Sequence, residues 1–328
     1  MPSGDSCNSL IIQTAYLGDA VLTLPLVSAL KSAGHRVSIL CRPEFSGIFE
    51  DCPDADRVLV YNKKRTRNPG ERSLIRLVLT LKKEKFTHVF LPQRSFRSGL
   101  AAFLARIPVR SGFTRGGGRF FINRKTVYDW GTHEVLRILS LAEAAGIESG
   151  APRFSLRPRP ELVRKYRGIF GNAEHLVGFA PGSNWPTKRW PAERFSETAG
   201  RIPEGVRAVF LGKEPAEGVP PGAVDLTGKT SVRELTAAVS LLDLLVSNDS
   251  GIIHVAAALG VRVCAVFGPT VPGMGFSPYG DGHILIENRG LECRPCGLHG
   301  PRRCPEKHFR CMKDIPAERV LEKILKLL

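Results

Sequence analysis

The residues best suited to chemistry in this chain sit at turns. Ser247, Asn248, Asp249, Ser250 and Gly251 follow the apolar run 241–246, and Ile252, Val255, Ala256 and Leu259 then recur at helical spacing. The segment reads as strand, tight polar turn and helix. Asp249 or Ser250 can cap that helix, while its first-turn N–H groups and dipole favour an anion such as a phosphate. Gly251, lacking a side chain, lets a ligand approach the backbone closely. Asp19, in Leu17-Gly18-Asp19, opens an earlier helix, where a carboxylate is an ordinary cap. Cys293, Cys296, Cys304 and Cys311 are spaced C-x2-C-x7-C-x6-C, compatible with a closed structural zinc site, with free thiols or with disulfides. Cys7, Cys41, Cys52 and Cys264 are scattered and show no such pattern.

These turns need a frame, and the sequence supplies one twice. In the first half, strands are predicted at 9–14, 36–41, 57–61, 87–91 and 109–113, with helices at 20–31, 71–83, 98–106 and 133–145. Alternation of this kind implies parallel sheets. Gly116, Gly117 and Gly118 lie in a basic loop that could form an anion-binding nest. A proline-punctuated stretch, 152–160, reads as a linker. The pattern restarts with strands at 176–180, 206–211, 244–246 and 261–267, helices at 191–200 and 231–241, and a closing amphipathic helix at 317–328. The fold class expected is α/β with two doubly wound units, which bind ligands at the carboxyl ends of their strands.

Composition narrows the function. A chain of 328 residues with 43% hydrophobic content exceeds one ordinary core. Neither a membrane-spanning run nor a signal-peptide pattern is present, so a cytoplasmic location is expected. The net charge is +16, and residues 62–125 hold seventeen Lys and Arg against Glu71 and Glu84. Such a concentration suits a polyanion or an anionic membrane surface, or simply a solvated basic face. No nucleic-acid recognition motif accompanies it, and aromatic residues are not interleaved with the charges, so nucleic acid is not expected as a partner. Gly228-Lys229-Thr230 imitates the end of a phosphate-binding loop without the preceding strand, and no G-x-G-x-x-G follows the first strand. Neither an NTPase nor a dinucleotide oxidoreductase is indicated.

Four strand-end segments, AYLGDAVLTLP, APGSNWPTKRWP, SNDSGIIHVAAALG and FGPT, together resemble the ADP-heptose-dependent lipopolysaccharide heptosyltransferases of glycosyltransferase family 9 over almost the full length. The late cysteines followed by Lys313-Asp314-Ile315 are similar to the subgroup that adds the second heptose. The resemblance implies a GT-B fold of two facing Rossmann-like domains: 1–155 binding acceptor, 156–172 a linker and connecting helix, 173–315 binding nucleotide sugar, and 316–328 a helix packing back on the N-terminal domain.

By the same resemblance Asp19 is the general base and Lys188 meets the donor diphosphate. Ser183 and Asn184 are phosphate or hydroxyl partners, and Glu214 is a ribose partner. Asp249 would bind sugar hydroxyls, with Ser250 and Gly251 giving backbone N–H groups to phosphate and His254 just behind. Arg94, Arg97, Arg115, Arg119, His133 and Arg137 are candidates for the anionic acceptor. The implied reaction is displacement with inversion at the anomeric carbon, ADP leaving as the deprotonated acceptor attacks. The expected partners are ADP-heptose, a lipid A–core acceptor and the cytoplasmic face of the inner membrane. No catalytic cofactor is implied, and structural zinc at the late cysteines is a candidate. The alternatives are a transferase using another nucleotide sugar or another heptose acceptor, and a non-catalytic sugar-binding relative.

Overall fold

A computed structural model of the chain describes residues 7–62 and 73–328. It divides into two compact units, Met1–Arg157 and Pro158–Leu328. Lys63, Lys64, Arg65, Arg67, Glu71 and Arg72, which contribute to the basic stretch and to the predicted start of a helix at 71, lie outside the described residues.

The first unit runs β1 (Asn8–Gln13), α1 (Leu17–Leu22), α2 (Leu24–Ser32), β2 (Arg36–Cys41), α3 (Ser46–Glu50), β3 (Arg57–Val60), α4 (Leu74–Lys83), β4 (His88–Leu91), α5 (Phe96–Leu104), β5 (Val109–Phe113), β6 (Arg124–Thr126) and α6 (Glu134–Ala144). Its sheet has the order β3-β2-β1-β4-β5-β6, every pairing parallel. Leu10, Ile11 and Ile12 of β1 are at most 1% exposed, as a central strand covered on both faces requires. The single helix predicted over 20–31 is instead two, meeting at Thr23. Pro25 explains the break, because it has no N–H for the Val21 carbonyl one turn earlier.

The second unit runs α7 (Pro160–Phe170), β7 (His175–Ala180), α8 (Ala192–Gly200), β8 (Val206–Phe210), β9 (Val224–Asp225), α9 (Val232–Val239), β10 (Leu244–Asn248), α10 (Gly251–Ala258), β11 (Arg262–Phe267), β12 (Ile284–Glu287), α11 (Arg310–Lys313) and α12 (Ala317–Leu325). Its parallel sheet has the order β12-β11-β10-β7-β8-β9. The fold class expected from the sequence, α/β with Rossmann-like sheets, is therefore the one found. In each unit the strand order reverses at one point, between β1 and β4 and between β7 and β10, and there the carboxyl ends open a crevice.

Two segments near the expected boundaries pack within the second unit. Helix α7 is no free connector: Tyr166 and Phe170 are buried, Arg207 donates to the Phe170 carbonyl at 2.5 Å, and Lys165 pairs with Glu234 of α9 at 2.6 Å. Helix α12 uses its apolar face within its own unit, where Val320 and Ile324 join the core around Trp190 and Phe195. Among the described residues no helix is long and apolar enough to cross a membrane.

Candidate active site

In the second unit three of the predicted strand-end segments converge on one carboxylate. Asp249 follows β10, and its Oδ2 takes the Lys188 ammonium at 2.6 Å and the Thr270 hydroxyl, also at 2.6 Å. The Lys188 and Asp249 side chains are only 11% and 8% exposed. Lys188 ends a short 3-10 turn, Pro186–Lys188, held by its own N–H on the Trp185 carbonyl at 2.9 Å. Asn248 fixes that loop to β10: its Oδ1 accepts the Trp190 backbone N–H at 2.8 Å and its Nδ2 donates to the Pro181 carbonyl at 2.7 Å. Trp190, 1% exposed with its indole N–H on the Ile315 carbonyl, is core and does not wall a site.

Ser250 is the N-cap of α10, without a side-chain cap bond, so the first-turn N–H groups beside Asp249 keep the anion-favouring character read from the sequence. His254 is buried in the same helix. Ser183 accepts the Trp185 N–H at 3.4 Å and Asn184 is exposed. Glu214, 68% exposed, reaches Arg189 at 3.3 Å. Thr270 is a residue that sequence reasoning missed, although it lies inside a motif it quoted. Arg294 is another: its guanidinium donates to the carbonyls of Gly268, Phe267, Thr270 and Asn288 and pairs with Glu287 at 3.1 Å, clamping the loop that carries Thr270.

The late cysteines belong to the same support. The Cys296 N–H donates to the Pro269 carbonyl at 2.7 Å, and the Thr187 hydroxyl donates to the Pro301 carbonyl. Cys293, Cys296, Cys304 and Cys311 line one small cavity of about 40 Å³ together with His308, whose Nε2 is 3.9 Å from Cys293 Sγ. Burial pushes the Cys311 thiol up to about 11, and burial with the neighbouring cysteines raises Cys296. None of the eight cysteines is joined in a disulfide in this structure.

In the first unit Asp19 is the third residue of α1, and its Oδ2 accepts the Tyr16 N–H at 3.2 Å. Its backbone carbonyl takes Gln13 Nε2 at 3.2 Å and the Thr23 hydroxyl at 2.7 Å, fixing the turn from two sides. Asp19 has a neighbour that was not foreseen, the buried carboxyl of Glu134. Glu134 accepts the Tyr128 hydroxyl at 2.7 Å and pairs with Arg137 Nε at 2.9 Å. Burial first, and then the charge of Asp19, raise Glu134 to about 7 against the pull of Tyr128, Arg137 and Arg94. A signal existed, since Glu134, Arg137, Ile138 and Leu141 share one face of α6.

The acceptor candidates are placed unevenly. Arg94 is exposed, its guanidinium 4.4 Å from the Tyr128 ring centre, and Arg97 donates to the Tyr61 hydroxyl at 2.7 and 3.0 Å. Arg115 and Arg119 are exposed, Arg119 over the Phe120 ring. His133 caps α6 through its ring, accepting the Val135 N–H at 3.2 Å. Arg137 corrects the expectation: it is 2% exposed, tied to Glu134 and stacked near Tyr128, so it organises the site and has no face for a ligand. The glycine triplet also has another reason. A Cβ on Gly116 would stand 2.4 Å from Arg94 Cβ, and one on Gly117 2.9 Å from Phe96 Cβ, so these glycines admit the Arg94 loop.

Residues 74–306 match the model for glycosyltransferase family 9 (heptosyltransferase). The chain is 27% identical to lipooligosaccharide heptosyltransferase 2 of Campylobacter jejuni, over 95% of this chain and 96% of that protein. It is 28% identical to lipopolysaccharide heptosyltransferase 2 of Escherichia coli K12, over 97% and 98%. In fold it is similar to the E. coli ADP-heptose LPS heptosyltransferase II structure, with TM-score 0.79 at 22% identity, covering 98% of each chain. A Veillonella parvula family 9 transferase gives TM-score 0.83 at 23% identity, over 99% and 98%. With its GT-B type α/β fold and its strand-end loops gathered at the crevices, the chain belongs to glycosyltransferase family 9, the heptosyltransferases.

Proposed function

We propose that this glycosyltransferase moves L-glycero-D-manno-heptose from ADP-heptose to the heptosylated inner core of lipopolysaccharide, with inversion at the anomeric carbon. The observation that carries the reading is the convergence of Lys188, Asp249 and Thr270 at the crevice of the second unit. A buried lysine beside a helix N-terminus suits a leaving diphosphate, meeting charge as it develops on the β-phosphate. Asp249 accepts hydrogen bonds from sugar hydroxyls. Asp19 takes the proton of the acceptor hydroxyl as it attacks, and Arg94, Arg97, Arg115 and Arg119 meet the acceptor's phosphate and carboxylate groups.

The first unit also suits the surface on which a lipid acceptor is found. Ile75 and Leu79 of α4, with Phe96, Phe103, Leu104 and Phe120, are between 42% and 73% exposed, among Arg76, Lys82, Lys83, Arg106 and Arg119. Apolar side chains set among cations are the composition that seats a protein on an anionic leaflet, so the location we infer is cytoplasmic and peripheral to the inner membrane. The late cysteines, all of ligand-competent type around one cavity, would hold a structural zinc ion that stiffens the loops behind Lys188 and Thr270.

The test is donor choice followed by transfer. ADP should raise Tm more than UDP or GDP at equal concentration, RNA should leave it unchanged, and ADP-heptose should yield a heptose-extended Kdo2-lipid A species by mass spectrometry. Equal stabilisation by all three diphosphates, or transfer from a different nucleotide sugar, would move the reading to the alternative transferase class.

A further inference from the structure

At the opposite end of the first sheet from Asp19, where β1, β2 and β4 begin, Cys7, His35 and His88 each present one ligand atom, and the three atoms lie within 4.8 Å of one another. It is the one such group among the described residues. We propose that these residues form a binding site for a borderline-soft divalent cation, zinc foremost, separate from the late cysteines and from the transfer chemistry.

The backbone brings the ligands together without help from a metal. Cys7 precedes β1 and accepts the Arg36 N–H at 2.9 Å, which sets His35 beside it. Ser9 pairs in register with His88 of β4, and the Thr87 N–H donates to the Asn8 carbonyl at 2.8 Å. The three ligands therefore stand on three neighbouring strands of one parallel sheet. Tetrahedral zinc with Zn–S of about 2.3 Å and Zn–N of about 2.1 Å separates its ligand atoms by about 3.5 Å. The observed spread is close enough for side-chain rotation to complete the site.

Both imidazoles are oriented as metal ligands are. His35 Nδ1 is 2.6 Å from the Ser9 hydroxyl and His88 Nδ1 is 2.9 Å from the Thr87 hydroxyl. The Thr87 hydroxyl donates its proton to the Asn8 carbonyl at 3.0 Å, so it accepts from His88 Nδ1–H, and the lone pair of His88 lies on Nε2. An Nδ1–H held by an outer-shell oxygen, with Nε2 left for the ion, is the usual arrangement around zinc-bound histidine. Burial lowers both histidines, and the charges of His35 and Arg124 lower His88 further. Arg124 opposes a cation. The thiolate offsets it, because binding replaces the Sγ–H bond of Cys7 by a metal–sulfur bond and releases one proton to solvent. Two nitrogens and one sulfur leave a fourth position, filled by water.

Residue-resolved alkylation of the full chain tests the site apart from the late cysteines. Zinc should slow modification of Cys7 at least tenfold, read on the peptide that contains it, and His88→Gln should abolish the protection while Cys304→Ala should leave it intact. Metal analysis after removal of free zinc should find one equivalent fewer in Cys7→Ser, a variant at a partly exposed position that does not depend on His88→Gln folding. Cys7 alkylated at one rate with and without zinc, or an unchanged zinc count in Cys7→Ser, overturns the proposal.

Discussion

Lys188→Met and Asp249→Asn together probe the pair at the centre of the second unit. At 2.6 Å and an effective dielectric of about 20, two unit charges attract by roughly 6 kcal/mol, most of it offset by desolvating both groups. Removing the lysine leaves a buried carboxylate with the Thr270 hydroxyl still donating, and the expected loss of stability is about 3–5 kcal/mol. Asp249→Asn keeps the shape and the Thr270 bond and should lose less. Ligand binding separates the two more sharply. Lys188→Met should weaken ADP by about 10- to 100-fold, the loss of one charge-assisted contact. Asp249→Asn releases the lysine from its competitor, so ADP affinity should hold or rise, while ADP-heptose should lose its advantage over ADP because the sugar hydroxyls lose their carboxylate. Calorimetric titration with both ligands, beside melting curves of the same preparations, gives all four numbers. If Asp249→Asn weakens ADP as far as Lys188→Met does, the pair is a structural strut and the division of roles argued here is wrong.

Asp19→Asn should leave stability within about 0.5 kcal/mol, since Asn still accepts the Tyr16 N–H, yet lower kcat by about 100-fold or more in single-turnover transfer; near-normal turnover would reduce Asp19 to a helix cap. Glu134 is raised from an ordinary 4.5 to about 7, so its contribution to stability is present below 4.5 and lost as pH rises to about 7, at most about 3 kcal/mol. Chemical denaturation of Glu134→Gln across that window should show a flatter pH dependence than the parent, and an identical slope would remove Glu134 as the source. Replacing Arg94 and Arg97 together by Ala should raise the acceptor KM and leave ADP affinity alone, with added salt mimicking the change; an unaltered KM sinks the acceptor assignment. Cys304→Ala should release zinc from the late-cysteine cavity and weaken ADP through the Thr187 and Pro269 contacts, and protein that carries no metal with all four thiols alkylable would refute the ion.

What the sequence made legible follows the strength of each local signal. The stretch 247–260 could be read because a buried strand gives way abruptly to polar capping residues and then to helical periodicity, and β10 and α10 fall there. Strands β6 and β9 could not, because they span 3 and 2 residues and are shorter than a period-2 pattern needs. Lys188 and Asp249 were named from separate motifs, but their ion pair depends on two loops brought together by the sheet order, which no spacing encodes. Arg137 was misplaced because a positive charge in a basic region invites an anion, whereas its partner three residues earlier had already neutralised it on the buried face of α6. The cysteine spacing was compatible with a closed site, and the four thiols line one cavity.

The clamp by Arg294 has a consequence for how the protein is made. Lys188, Asp249 and Thr270 emerge from the ribosome well before the guanidinium that fixes the Thr270 carbonyl, and before α12, which completes the core around Trp190. A nascent chain can thus build most of the second sheet before Arg294 and α12 have emerged to hold its crevice. A chain cut short before Arg294 would keep the strands around the crevice and lose the clamp on the Thr270 carbonyl.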